Sequence, residues 1–169
     1  MKRLFPLLLS ALLALPSLVS AEVGLLRTDR PFLRAKIIDM DPKGTHLRDA
    51  PKGKVIYVVP LKPKDEIERL VDVYGMEGDW FRVTIAESKR SGWMHRSVLG
   101  LRGGSAEDGP CPLQKTPIDD APAVVTPKAG AVLQLLSISD GGEGTSWFYV
   151  RYKDAKGAEF SGWLPEQCQ

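Results

Sequence analysis

All four tryptophans of this chain lie in two passages that repeat each other. GDWFRV (78–83) is followed by SGWMH (91–95), and TSWFYV (145–150) is followed by SGWLP (161–165). Trp80 and Trp147 are 67 positions apart and Trp93 and Trp163 are 70, the difference being a longer hairpin in the second copy. A pattern that returns at this interval restricts the fold to two tandem copies of one unit of roughly 60–70 residues, since the 148 residues that follow position 21 make one ordinary domain or two very small ones.

The unit is β rather than α. AKII, KVIYVV, EIERLVDV, DWFRVTI and GWMH are short runs rich in Val, Ile and aromatics, separated by DPKG, APKG, LKPKD and EGD, which carry the turn chemistry of Pro, Gly and Asp. AVV, AVLQLLSI, WFYVRY and SGWL follow in the same order in the second copy. Thirteen prolines and sixteen glycines spread along the chain leave little room for a long helix. Several short strands in a unit this size predict a small, strongly bent barrel. Between the copies, RGGSAEDGP (102–110) has three glycines, a proline and no apolar periodicity, and reads as a linker. The organisation expected is a signal segment (1–21), a lead-in (22–32), a first barrel (33–101), the linker (102–110) and a second barrel (111–169).

The signal reading rests on Lys2 and Arg3, the apolar run LFPLLLSALLALPSLV broken by Pro6 and Pro16, and the small residues VSA ending at Ala21. Cleavage there predicts a secreted, periplasmic product with no membrane span, because no later stretch approaches eighteen apolar residues. It also changes the charge. The chain has 23 Lys and Arg against 21 Asp and Glu, and losing Lys2 and Arg3 leaves the rest formally neutral. That balance argues against nucleic acid as a partner, whose binding rests on surplus cations meeting phosphates.

In the first copy Leu47, Arg48 and Pro51 form an early element, Val55 and Ile56 the next strand, Gly78, Asp79, Trp80 and Val83 the central strand, and Gly92, Trp93, Met94 and Leu99 the closing element. In these residues it resembles the bacterial Src-homology-3 (SH3) type domain. The second copy is looser: Trp147, Phe148 and Val150, then Gly162, Trp163 and Leu164, match, while LQKTPIDDAP replaces the early arginine element. The resemblance implies two small SH3-like barrels in tandem, used for binding cell-wall peptides or proteins near the wall, without catalysis. The proline-helix groove of eukaryotic relatives is not implied: the position after the closing motif, where such domains carry a tyrosine, holds Val98 in one copy and Cys168 in the other.

Strand alternation selects candidate ligand contacts. In DWFRVTI, Phe81, Val83 and Ile85 share one face and Trp80, Arg82 and Thr84 the other; in WFYVRY, Phe148, Val150 and Tyr152 oppose Trp147, Tyr149 and Arg151. Trp, Tyr and Arg together on an outward face are the residue types of binding hot spots. The candidates are therefore Trp80, Arg82 and Arg48 in the first copy and Trp147, Tyr149 and Arg151 in the second. The alternative is that Trp80 and Trp147 cap their barrels or fill the contact between them. Trp93 and Trp163, each after a glycine in the closing strand, read as structural.

Neither histidine, His46 or His95, has an acid at the spacing of a known metal motif, so both read as solvated and no metal or other cofactor is expected. Cys111 opens the second copy and Cys168 all but closes it; in an oxidising compartment, with the ends of a small barrel close together, they are expected to form a disulfide. With that, a cysteine nucleophile is lost and the inventory for an enzyme is too thin. The function expected is a non-catalytic exported binding module for cell-wall peptide or an envelope protein. A small inhibitor or immunity-type partner of a secreted or envelope enzyme is the alternative.

Overall fold

The computed structural model describes residues 25–26, 29–61, 68–103, 105–106, 109–140 and 145–168. The signal segment expected at 1–21 lies outside them. In chain order the strands are β1 (Leu25–Leu26), β2 (Leu33–Ile37), β3 (Thr45–Arg48), β4 (Val55–Val59), β5 (Leu70–Glu77), β6 (Trp80–Ile85), β7 (Ser91–His95) and β8 (Leu99–Arg102). They continue with β9 (Ser105–Ala106), β10 (Gly109–Pro110), β11 (Leu113–Gln114), β12 (Ala123–Val125), β13 (Val132–Asp140), β14 (Ser146–Lys153) and β15 (Glu159–Pro165). Two single-turn 3-10 segments, Arg96–Val98 and Glu166–Cys168, follow β7 and β15.

The chain is all-β, as its turn-punctuated apolar runs predict. The pairing, however, makes one antiparallel sheet with the strand order β12-β11-β15-β14-β13-β8-β2-β5-β6-β7-β3-β4, and that path does not close. The short β1 adds to β5. Read outward from the centre, the order is the same in both directions: β2-β5-β6-β7-β3-β4 on one side and β8-β13-β14-β15-β11-β12 on the other. The repeat of the tryptophan passages is thus a repeat of topology.

Its centre is where the expectation of two barrels on a plain linker meets a different arrangement. β8 uses both of its edges, placing Lys36 opposite Gly100 on the β2 side and Gln134 opposite Gly100 on the β13 side. It closes the first copy's order and opens the second's. Backbone groups left at a strand edge seek partners, and β8 and β13 satisfy each other. The stretch 102–110 holds the end of β8 and the paired β9 and β10. Gly103 is bonded to Ala131 and to Gly130 across that junction, at 2.6 and 2.7 Å. Met76 Sδ of β5 accepts from Ser137 Oγ at 3.4 Å and from the Ile138 amide at 3.3 Å in β13, another tie between the halves.

Local detail repeats as well. Bulges interrupt β5 between Val73 and Gly75 and β13 between Leu135 and Ser137. Further register shifts fall between Leu47 and Arg48 and between Leu113 and Gln114. The glycine before each closing tryptophan has one reason in both copies. A Cβ on Gly92 would lie 2.5 Å from the Arg48 carbonyl, and one on Gly162 would lie 2.9 Å from that of Gln114.

The core is the inward set of these strands. Phe81, Val83 and Ile85 of β6 and Phe148, Val150 and Tyr152 of β14 are buried, joined by Leu47, Met94, Leu99, Leu113, Leu133 and Leu164. The lead-in contributes Phe32, which is fully buried. Removing either Phe81 or Phe148 side chain from such packing costs about 3–5 kcal/mol. Cys111 and Cys168 form the expected disulfide, spanning a separation of 57 residues. Among the described residues no helix is long and apolar enough to cross a membrane.

Candidate functional site

The loop between β2 and β3 is shaped by its own acids. Asp39 accepts the Asp41 amide at 3.0 Å and the Thr45 hydroxyl at 2.9 Å, and Asp41 accepts the Lys43 amide at 2.9 Å. Side chains of Asp that bond their own backbone two residues on are the usual device for such turns. Arg69 donates to the Asp39 carbonyl from behind. Burial pushes the Arg69 guanidinium below its ordinary value, against the opposing pull of the Asp39 charge.

This loop forms one wall of an open cleft of about 170 Å³; the floor and opposite wall come from His46, Arg48, Trp80, His95 and Val98. Trp80 is half-buried, its ring edge-on to His95 with centroids 5.2 Å apart at 69°. The Arg48 guanidinium carbon lies 5.6 Å from the Trp80 ring centroid, within cation–π range. It is held there by a 2.6 Å bond from Arg48 Nη1 to the Gly53 carbonyl. The Ser97 amide donates to His95 Nδ1 at 3.3 Å, and the Ser97 hydroxyl lies 2.8 Å from the same nitrogen. Below the cleft, Asp79 and Arg96 pair at 3.1 Å and fix the turn that carries Trp80.

Antiparallel register explains the convergence. Trp80 lies opposite His95, and Arg48 and Arg82 both lie opposite Trp93. Stepping two residues along β3 from Arg48 brings His46 to the same end of the sheet as His95. The structure thus brings Trp80 and Arg48 into one cleft. Arg82 sits exposed on the same face, one row away and outside the cleft wall. Sequence reasoning left out His46, His95, Asp39 and Asp41. The signal available was that each histidine stands two residues from a residue of the matched motif, Arg48 or Trp93.

The second copy differs at this place. Tyr149 is half-buried with its ring 5.0 Å from that of Trp163, and Arg151 is exposed. Trp147 corrects the alternation argument: it lies on the face opposite Phe148 and Val150 yet is only 3% exposed, so it offers no surface to a ligand. Its cross-strand partners differ too. Opposite Trp147 stands Pro165 where Trp80 has His95, and opposite Trp163 stands Gln114 where Trp93 has Arg48. The last residue of the closing 3-10 turn is the bridged Cys168 where the first copy has Val98.

The open cleft offers an aromatic face, a held guanidinium, two imidazoles and two carboxylates. At about 170 Å³ it is smaller than the roughly 300–1,000 Å³ typical of small-molecule sites and suits one residue-sized group. Among the described residues no group of three or more His, Cys, Asp or Glu side chains could hold a metal ion. No protein-family model, curated protein or solved structure matches the chain.

Proposed function

We propose that this chain is an exported, non-catalytic binding protein of two SH3-like copies, in which the first copy holds a group of a cell-wall peptide or an envelope protein at Trp80. The observation that carries the reading is the contrast between the copies. The same place in one frame is an open cleft of Trp80, Arg48, His46 and His95 and, in the other, a buried Trp147 opposite Pro165, in a copy whose closing turn carries the disulfide. A binding role asks for an aromatic whose face is held but reachable, and Trp80 meets that description. The bridge between Cys111 and Cys168 is compatible with an oxidising, extracytoplasmic compartment.

The test is a pair of substitutions measured for both retention and folding. Trp80→Ala should weaken retention on isolated peptidoglycan or on envelope proteins by about 2 kcal/mol or more, about thirty-fold in Kd, with a smaller loss of stability. Trp147→Ala should do the reverse, lowering stability by about 3–5 kcal/mol and leaving affinity of the folded fraction unchanged. Undiminished retention by Trp80→Ala on every fraction the parent binds would remove Trp80 from the ligand site.

A further inference from the structure

β4 ends the strand order on the first copy's side, and among the described residues it pairs only with β3. It carries five residues, Val55–Val59, without proline. Val55, Ile56 and Val58 are 42%, 50% and 39% exposed and, with Met40, are the exposed large apolar side chains among the described residues of this copy. The opposite end of the sheet is built otherwise: β12 is three residues long and bracketed by Pro122 and Pro127. An open, apolar edge strand is a template for another strand, and proteins that do not use such an edge blunt it with prolines, inward charges or short length. β12 is blunted along its whole length; β4 is flanked by Pro60 after it and Lys52 and Lys54 before it, but its own five residues carry neither proline nor charge.

The edge also leads to the cleft. Val58 lies opposite His46 and Val55 opposite Arg48, so the outward side chains of β4 continue the surface that runs through His46 and Arg48 to Trp80. The charge beside it is mostly positive: Lys52, Lys54 and Arg90 are exposed, with Arg90 4.5 Å above the Tyr57 ring, set against Asp49 in the same turn as the lysines.

Resting on the binding reading above, we infer that the ligand reaches this protein as an extended acidic polypeptide segment that adds a strand along β4 and turns one side chain into the Trp80 cleft. Strand addition draws affinity from main-chain hydrogen bonds and selectivity from pockets that take alternate side chains. Val55–Val59 supplies the first and the cleft the second. The partner is then a protein segment with apolar side chains at alternate positions and carboxylates near the Lys52–Lys54 end.

The experiment uses the mature chain and a library of synthetic octapeptides alternating Val or Ile with Thr and ending in two Glu or two Lys. Glu-ended members should slow amide hydrogen exchange at Val55–Val59 at least ten-fold and bind at least ten-fold tighter than their Lys-ended counterparts. N-methylation of alternate peptide amides should abolish binding, as should Ile56→Pro. Val58→Lys, which leaves the β4 backbone free to pair, should weaken the Glu-ended peptides at least ten-fold through the lost apolar contact. Protection confined to other strands, equal binding of the N-methylated peptides, or no protection by any member overturns the inference. So does a concentration-dependent dimer whose β4 amides are protected without peptide, since the occupant is then a second copy. Peptidoglycan retention that depends on Trp80 while no peptide protects β4 sinks this inference alone. Protection of β4 that is indifferent to Trp80→Ala overturns the placement of a peptide side chain in the cleft, and with it the Trp80 reading on which this inference rests.

Discussion

Gly100 is the residue on which the single-sheet arrangement can be put to a quantitative test. It sits in β8 with Lys36 on one side and Gln134 on the other. A Cβ there would lie 2.7 Å from Ile38 Cγ2 and 2.9 Å from the Leu133 carbonyl oxygen. The Ile38 side chain can turn away, but the carbonyl belongs to β13, so Gly100→Ala must push the second copy's first strand away from β8. Overpacking of this kind costs about 1–3 kcal/mol, and the smaller unfolded-state entropy of alanine returns about 0.4–1 kcal/mol. From the middle of each range the net loss is about 1.3 kcal/mol. At about 2–4 °C per kcal/mol for a chain of this size, the midpoint should fall by about 3–5 °C. Incorporation of 5-fluorotryptophan gives two fluorine signals in each copy, from Trp80 and Trp93 and from Trp147 and Trp163. All four should melt at one midpoint, and the substitution should lower it for all four. Separate midpoints with only one pair displaced, or no displacement at all, would refute the claim that β8 binds the halves into one cooperative sheet.

Two further outcomes follow from other parts of the chain. Cys168→Ser should lower stability by up to about 4 kcal/mol, the chain-entropy value for a closed loop of this length, seen in urea melts of the non-reduced parent and variant. The Glu68 carboxyl is held below the usual carboxylate range first by its hydrogen bond from Lys36, with burial opposing and Arg102 adding to the lowering. A folded-state value below the unfolded one means that this stabilisation is present above the unfolded carboxylate range and fades as pH falls through the folded value. Urea melts from pH 7 to pH 3 should therefore show Glu68→Gln less stable than the parent at neutral pH and equal to it in acid; a gap independent of pH would assign the effect to packing.

What the sequence made legible was whatever a strand's own residues decide. Phe81, Val83 and Ile85 alternate with Trp80, Arg82 and Thr84 in a run fixed by the Gly78–Asp79 turn, and the burial of β6 follows that alternation. The same logic placed Trp147 on the correct face but not at the surface, because alternation decides direction while exposure depends on what lies above. What covers Trp147 belongs to other elements and comes only with the fold. The sharing of β8 was hidden for a similar reason: LGLR reads identically whether one edge or both are paired. His46 and His95 are far apart in the chain and meet only through the register of β3, β6 and β7.

The two copies secure the same strand in opposite ways, and the difference bears on which of them is free to bind. Thr45 stands three residues before Arg48, and Cys111 three before Gln114. In the first copy Thr45 is buried and donates to Asp39, so the start of β3 is tied to the loop that walls the cleft. In the second copy Cys111 is bonded to the closing turn through Cys168. The covalent bond thus stands in the copy whose corresponding place is closed, and the copy that keeps an exposed cleft is held there by hydrogen bonds and an ion pair.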